Sequence, residues 1–239
     1  MKRYVVLFLG LVLFFGTTGL AFAQGDGEFF YGDYEIAGRF NVAARGGGFF
    51  PVMNGKTNYF YEFTDGRYTI SPKSKSGWFA GGELTYDLGD YLAVGPEGYY
   101  QEYEIKINRA IPNIPRDSKL GTARNSMGFL KFILKCQFDL GDLVFAPYLA
   151  AAPGAIFPTF KNSSAVSAAA INIKPKASFA SKFSGGFDFY LSDNFALNLE
   201  GAYLMATVKT AIERGNFGSP TNDIKGDGWM AGGGLKFKF

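Results

Sequence analysis

Residues 176–191, KASFASKFSGGFDFYL, alternate between apolar positions and polar or small positions. The odd-numbered positions hold four phenylalanines and end at Leu191, while the even-numbered positions include Lys176, Lys182 and Asp188. A period of two places successive side chains on opposite faces of a β-strand. The stretch therefore predicts one long strand with an apolar face and a charged face.

The same alternation returns in residues 126–140, 195–207 and 229–239. Turn signals separate the runs at intervals of about fifty residues. These signals are Gly89-Asp90, Gly141-Asp142 and Ser192-Asp193-Asn194. Longer connections, rich in Pro, Asn, Ser, Gly and charge, join the strands at their other ends. The chain is thus predicted to be a series of hairpins with short turns at one end and long loops at the other.

Counting turns and loops gives eight strands. The predicted strands span residues 33–49, 77–88, 91–107, 126–140, 143–157, 176–191, 195–208 and 228–239. Pro96, Pro147 and Pro153 fall inside predicted strands. Because proline has no N–H to donate, each marks a bulge, a strand end or a local opening. The first loop carries its own hairpin signal at Asp65-Gly66, which either extends the first two strands or makes ten.

Residues 1–23 have the features of a secretory signal peptide. A basic start precedes an apolar run over residues 4–15, and residues 21–23 form a small-residue cleavage site. The alternative is a membrane anchor, which needs about 20 apolar residues, more than this run supplies. We therefore expect a mature domain of residues 24–239.

The composition excludes several classes of function. Without Lys2 and Arg3 of the leader, the net charge of +3 falls to +1, which is too small for a nucleic-acid-binding surface. There is no His, so Ser-His-Asp and Cys-His catalysis and His-ligated metal sites are excluded. The single Cys136 excludes an internal disulfide. We expect no cofactor, no metal and no nucleic-acid partner.

Soluble β proteins also show strands with alternating apolar and polar residues. The length of the apolar faces here favours a membrane barrel instead. Each apolar face persists for about ten residues while the opposite face carries charges, as in barrels with lipid outside and polar residues inside. Trp78 and Trp229 lie on the apolar parity at the loop ends, and other aromatics lie near the turn ends, as in aromatic girdles. The turn-end aromatics are Tyr34, Tyr86, Tyr91, Phe138, Phe189, Phe195 and Phe237. The sequence predicts an all-β, eight-stranded antiparallel up-and-down transmembrane β-barrel with Cys136 facing lipid.

Residues on the opposite parity are expected to face the barrel interior, and near the turn end many of them are charged. They are Glu35, Arg39, Glu83, Asp87, Lys135, Asp139, Asp188, Asn198, Glu200, Lys236 and Lys238. Both signs occur in similar number, and buried charges must be paired. An eight-stranded barrel is just wide enough for side chains or one small ligand. We therefore expect a salt-bridged plug instead of an open channel.

Near the loop end the inward residues become apolar. The candidate ligand-binding residues there are Phe79, Phe129, Leu204, Val208 and Met230. Ala43 and Ala206 are assigned to the same end, and so are Tyr99 and Tyr103 unless Pro96 shifts the parity. The change in chemistry predicts either an apolar pocket above a polar floor or simple packing of the upper lumen.

The second half of the chain resembles the OmpW family of small eight-stranded outer-membrane barrels. The matching segments are residues 145–149, 183–198, 202–204, 227–229 and 232–239. The first half departs from that family in its first strand and its long aromatic first loop. The resemblance implies a protein of the cell outer membrane that binds or passes small hydrophobic molecules. Barrels of the OmpX and opacity types share the turn and C-terminal features, so a structural or adhesive barrel acting through its extracellular loops is the alternative.

The resemblance also implies partners. A last strand that ends in an aromatic residue, here Phe239, is the feature that the outer-membrane assembly machinery recognises in such barrels. Barrel enzymes of the lipid A-modifying, phospholipase and omptin kinds need a catalytic His, so no enzyme is expected here. The expected partners are outer-membrane lipid, the assembly machinery and a small hydrophobic ligand.

Overall fold

The computed structural model describes residues 40–52, 59–63, 66–70, 72–107, 117–139, 144–168, 171–214, 217–218 and 222–239. The strands in chain order are β1 (Phe40–Pro51), β2 (Tyr59–Phe63), β3 (Gly66–Ile70), β4 (Pro72–Ser74), β5 (Gly77–Asp87), β6 (Leu92–Ile107), β7 (Lys119–Lys135), β8 (Phe138–Asp139), β9 (Val144–Asn162), β10 (Ile171–Pro175), β11 (Ser178–Ser192), β12 (Phe195–Arg214), β13 (Phe217–Gly218), β14 (Asn222–Lys225) and β15 (Gly228–Lys238). One short helix, α1 (Ser164–Ala168), lies between β9 and β10.

Eight of these strands close into a barrel. Around the wall their order is β1, β5, β6, β7, β9, β11, β12 and β15, and β15 pairs with β1. Every neighbouring pair in this ring is antiparallel. The predicted eight-stranded antiparallel barrel is confirmed. β2 and β3 pair in a separate two-stranded sheet, so the hairpin predicted at Asp65-Gly66 neither extends the first two barrel strands nor adds strands to the barrel.

The two faces of the wall reverse the arrangement of a soluble protein. Lys131 is 0% exposed, whereas its neighbours Leu130 and Phe132 are 47% and 45% exposed. A soluble protein usually buries the apolar side chains and exposes lysine. An apolar exterior around a charged interior is instead the arrangement of a barrel in lipid.

Aromatic side chains ring both ends of the apolar exterior. Trp78 and Trp229 are half exposed at the loop end, where their rings lie 5.5 Å from Tyr100 and 4.8 Å from Tyr203. Phe40–Tyr86 and Phe195–Phe237 ring pairs stand at the turn end. Tyr34 of the predicted girdle lies outside the described residues. No helix in the described part of the chain is long and apolar enough to cross a membrane.

Several strands are longer at the loop end than their apolar alternation predicts. β7 begins at Lys119 instead of residue 126, and β9 and β12 continue to Asn162 and Arg214. Gly121 still pairs with Asn162, although the residue types here no longer alternate between apolar and polar. Backbone pairing continues where the alternation of apolar and polar residue types has ended, so a pattern of apolar residues underestimates these strands.

Pro96 and Pro153 open the ladder locally without changing its register, whereas Pro147 pairs with Phe187 in a continuous ladder. Glu83 faces Glu97 and Tyr86 faces Val94, in the same register on either side of Pro96, while the pairs between them are missing. The ladder between β7 and β9 has the same kind of gap opposite Pro153. Since the register holds, Tyr99 keeps its inward parity and is buried, which settles the parity question raised by Pro96.

Cys136 offers a direct test of the outward parity. It stands between β7 and β8, is partly exposed, and shares parity with the exposed Leu134 and Phe138. A fluorophore attached to Cys136 is expected to be quenched by brominated lipid chains and shielded from iodide in water. A fluorophore at a loop-end position, in Cys136→Ser with Asn172→Cys, is the matched control and should show the reverse. Iodide quenching at Cys136 would contradict the assignment of the faces.

Candidate functional site in the barrel lumen

Six charged side chains form one network across the middle of the lumen, hereafter the central charge network. Each comes from a different barrel strand. They are Arg45, Glu83, Glu97, Lys131, Lys182 and Glu200. Three are cations and three are carboxylates, so their formal charges cancel. The network therefore ties six of the eight strands together across the lumen.

Glu200 is the hub of the central charge network. It accepts hydrogen bonds from Lys131 at 2.8 Å and from Lys182 at 2.9 Å, and it lies 3.2 Å from Arg45. The Tyr148 hydroxyl donates to it at 2.9 Å. Its side chain is 7% exposed, and those of both lysines are 0% exposed. One carboxylate thus compensates part of three buried positive charges.

The other two carboxylates complete the pairing. Arg45 contacts both oxygens of Glu83, at 2.6 and 2.8 Å, in the two-pronged geometry that makes Arg–carboxylate pairs strong. Lys131 adds a third contact to Glu83 at 2.9 Å. Glu97 lies 2.8 Å from Lys182 and 3.6 Å from Lys131. Each member therefore has at least two partners of opposite charge, as a buried ion requires.

Two further ion pairs lie below the network, toward the turn end. Lys135 contacts Asp87 at 2.5 Å, and Lys236 contacts Asp188 at 2.6 Å. Asn198 joins the two levels, because its amide donates to Asp188 at 2.6 Å and its carbonyl accepts from Arg45 at 2.5 Å. The charged interior thus extends from mid-barrel to the turn end.

The structure places most of the predicted plug residues in this region. Glu83, Asp87, Lys135 and Glu200 are inside the barrel and paired. Asp188, Asn198 and Lys236 join them, and Lys238 lies 5.7 Å from the Tyr190 ring. Glu35 and Arg39 lie outside the described residues, and the Asp139 side chain is not among those described.

Four members of the central charge network were absent from the predicted plug. They are Arg45, Glu97, Lys131 and Lys182. The inward parity of Lys131 and Lys182 was readable from the alternation of their strands. Arg45 shares its parity with the inward Ala43 and could have been found the same way. The alternation does not show at what depth along the barrel axis these side chains meet.

An apolar cluster fills the lumen above the network, toward the loop end. All five candidate residues belong to it and are at most 8% exposed. These are Phe79, Phe129, Leu204, Val208 and Met230. Leu204 faces Lys182 and Phe129 faces Glu97 across the ladders, so the cluster rests directly on the charged floor. Ala43 was assigned to this end, but it faces Glu83 and Lys236 and lies among the charges.

Tyr99 connects the two regions. Its ring packs edge-on against Phe79 at 5.8 Å, within the apolar cluster. Its hydroxyl lies 3.0 Å from Lys182 and donates to Glu97 at 3.0 Å. A tyrosine can serve both sides because it has an apolar ring and a polar tip.

A small cavity opens at the loop-end edge of the cluster. Its volume is about 70 Å³ and its wall is largely apolar; Tyr103, Leu120, Ala123, Val208 and Ile224 are part of it. Of the five candidate residues, only Val208 lines it. The other four lie in the packed cluster, so most of the upper lumen is filled by side chains in this structure.

The connection between β9 and β11 covers this end of the lumen. Val166 of α1 is 0% exposed and Ile173 of β10 is 8% exposed, and both belong to the apolar cluster. The Val166 N–H lies 3.3 Å from the Ser163 hydroxyl, which caps the short helix. The sequence pattern gave no sign of this cover, because the segment was predicted to be a loop.

Glycines make room for the large inward side chains. A Cβ added at each of several inward glycines would collide with a bulky side chain from another strand. The pairs are Gly154 with Phe129, Gly186 with Tyr148, Gly232 with Phe79 and Gly234 with Arg45. An eight-stranded barrel has little interior space, so these glycines set which side chains fit at each level.

Comparisons with solved structures agree with this architecture. The crystal structure of the outer membrane protein OprG from Pseudomonas aeruginosa has a TM-score of 0.70 and 16% identity, and the match covers 86% of this chain and 97% of that one. The outer membrane protein AlkL, solved in lipid bilayers, has a TM-score of 0.56 and 13% identity, with 90% and 97% covered. The solution structure of E. coli outer membrane protein W has a TM-score of 0.47 and 16% identity, with 86% and 100% covered.

The sequence comparisons return nothing. No protein-family profile matches the chain, and no curated protein is significantly similar to it in sequence. At identities this low, the structural likeness is one of fold. The closed ring of strands, the apolar exterior and the likeness to OprG and AlkL together show that this chain has the fold of the small eight-stranded barrels of the bacterial outer membrane.

Proposed function

We propose that this barrel binds small hydrophobic molecules in its loop-side lumen and passes them into the membrane. The observation that carries the proposal is the change in inward chemistry along the barrel, from the central charge network to an apolar cluster above it. Apolar side chains at the mouth favour an apolar guest. We further propose that the short turns face the periplasm and the long loops face outward.

The floor directs the exit of such a molecule sideways. The central charge network is electrically balanced and spans the lumen, so an apolar ligand would have to break ion pairs to continue downward. The gap opposite Pro153 lies beside Phe129, and the gap at Pro96 lies beside Glu97, at the junction between the two regions. Fewer backbone pairs resist separation of the strands at these two points.

The small size of the cavity limits the affinity expected for a ligand. Known ligand pockets have volumes of about 300–1,000 Å³, so cluster residues such as Val208 must move to admit a guest. A ligand that buries about 200 Å² of apolar surface gains about 5 kcal/mol, and side-chain movement reduces that gain. We therefore expect weak binding, with a Kd near the millimolar range.

Filling the cavity should weaken binding strongly. Ala123→Phe adds a phenyl ring to the cavity wall, and we expect it to weaken binding of the neutral fluorophore N-phenyl-1-naphthylamine by about ten-fold or more. Fluorescence titration of the barrel in nanodiscs measures this against the partition of the dye into lipid. Ala155→Phe adds the same ring to the outward face of β9 and should leave binding unchanged. Different migration of boiled and unboiled samples on a gel verifies that each variant is folded.

The alternative is a structural or adhesive barrel that acts through its loops. The close packing of Phe79, Phe129, Leu204 and Met230 favours it, because a lumen that never opens has no carrier function. Equal dye binding by the wild type, Ala123→Phe and Ala155→Phe, or binding by none, would support this alternative. Both functions are non-catalytic, and with either of them we propose that the outer-membrane assembly machinery recognises Phe239.

A further inference from the structure

A basic groove lies on the outside of the barrel, where β7 and β9 extend past the aromatic girdle. The groove is open and has a volume of about 520 Å³. Its lining includes three cations, Lys119, Arg124 and Lys161, together with hydroxyl groups such as that of Thr122. Thr122 and Arg124 share the outward parity of lipid-facing residues lower on β7, so this groove is separate from the lumen.

Like charges stand side by side at its upper edge. Lys73 pairs with Lys106 across β4 and β6, and Lys106 pairs in turn with Lys119 of β7. Like charges directly opposite each other on neighbouring strands are destabilising. A row of three lysines on adjacent strands is therefore unfavourable unless negative charge lies close to it.

Nearby carboxylates compensate only part of this charge. Glu104 lies 3.1 Å from Lys119, and Glu102 lies 2.8 Å from Arg124. Within the described residues, Lys161 forms no salt bridge. The Lys119 and Arg124 side chains remain 48% and 42% exposed, so both can reach a further partner.

The groove stands at the height of lipid headgroups. The next outward level below Arg124 on the neighbouring strands is formed by Tyr100, Ser126 and Phe157. Phe157 is 54% exposed, and Tyr100 packs on Trp78 in the girdle. Two residues along a strand span about 7 Å, which places Arg124 just above the hydrocarbon boundary, with Lys161 and Lys119 farther from it along the same groove. An amphiphile could therefore place its anionic head in the groove and its chains along the wall.

We propose that this groove binds the phosphate group of an anionic lipid in the leaflet on the loop side. Arg124 supplies the planar guanidinium that suits phosphate oxygens, and the lysines supply flexible point charges. The hydroxyl groups of the groove donate further hydrogen bonds. Lipid chains then pack against Phe157 and Leu130, which is why a lipid is favoured over free phosphate.

The test compares lipid retention by two triple variants. In nanodiscs of phosphatidylcholine containing some phosphatidic acid, native mass spectrometry measures the phosphatidic acid that stays bound. Lys119→Gln/Arg124→Gln/Lys161→Gln should bind about ten-fold less than the wild type. Lys176→Gln/Lys209→Gln/Lys225→Gln removes the same charge around β11, β12 and β14 and should stay within about two-fold of the wild type.

Three outcomes would overturn the proposal. Equal losses in both triple variants would mean that a diffuse positive field, and not the groove, attracts the lipid. Unchanged retention in the first variant would exclude the groove altogether. Displacement of the lipid by inorganic phosphate at matched concentration would identify a site for free phosphate. None of these results depends on whether the lumen binds a hydrophobic molecule.

Discussion

Glu200→Gln is expected to lower the free energy of unfolding by about 3–5 kcal/mol. The substitution keeps the size of the side chain but removes the negative charge that Arg45, Lys131 and Lys182 share. The network would then hold three cations against two carboxylates in a space almost closed to water. Urea titration in lipid vesicles, followed by the fluorescence of Trp78 and Trp229, measures the change.

Glu102→Gln provides the matched control. It removes the same charge from the outside of the barrel, where the Glu102 side chain is 28% exposed and its partner Arg124 is 42% exposed. An exposed pair of this kind contributes about 0–1 kcal/mol. Equal losses of stability in the two variants would show that Glu200 is solvated as well as Glu102, and the picture of a dry plug would be wrong.

Gly234→Ala is expected to be the next most damaging substitution, at about 1–3 kcal/mol. The new Cβ would meet the backbone of Ala44 and stand 2.8 Å from Cγ of Arg45. Arg45 cannot retreat easily, because both of its terminal nitrogens are engaged with Glu83. The same urea titration measures the loss.

Gly201→Ala separates crowding from the intrinsic cost of changing glycine. Gly201 faces lipid on β12, and a Cβ there has no atom within 4 Å among the described residues. Alanine is the better strand residue because glycine loses more conformational freedom on folding. Gly201→Ala should therefore leave stability unchanged or raise it slightly. Similar losses at positions 201 and 234 would contradict the explanation by close approach.

The fold was predictable because alternation over a long strand carries two kinds of information. It gives the strand, and it also gives the face on which each side chain lies. The period that placed Phe183 outside placed Lys182 inside, and the structure has Lys182 at 0% exposure. The hairpin at Asp65-Gly66 was predicted as well, since its turn signal is local.

The membership of the charged network was less predictable because it depends on register. Lys182 meets Glu97 across the lumen, although the two residues lie on strands that are not neighbours. Their heights coincide only after the stagger of every intervening strand is fixed, and that stagger is a property of the closed barrel. The alternation within one strand carries no information about that stagger, so the membership of Arg45 and Lys131 in the network was also missed.

The cover over the lumen was missed for another reason. Val166 lies in a stretch of small and polar residues with no strand or helix period, yet it is fully buried. A single apolar side chain can be buried when the segment that carries it packs against another part of the protein. Such burial depends on tertiary packing, and a local pattern cannot indicate it.

The unequal height of the wall divides the molecule into two regions of different stability. β9 and β12 have 19 and 20 residues, whereas β5 and β15 have 11 each. The upper part of the tall wall stands in water, where each broken backbone hydrogen bond is replaced by one to solvent. That part can fray and re-form by itself, while the same event inside the hydrocarbon would leave amides with no partner. One continuous strand therefore contains a segment that opens easily and a segment that opens only when the whole barrel does.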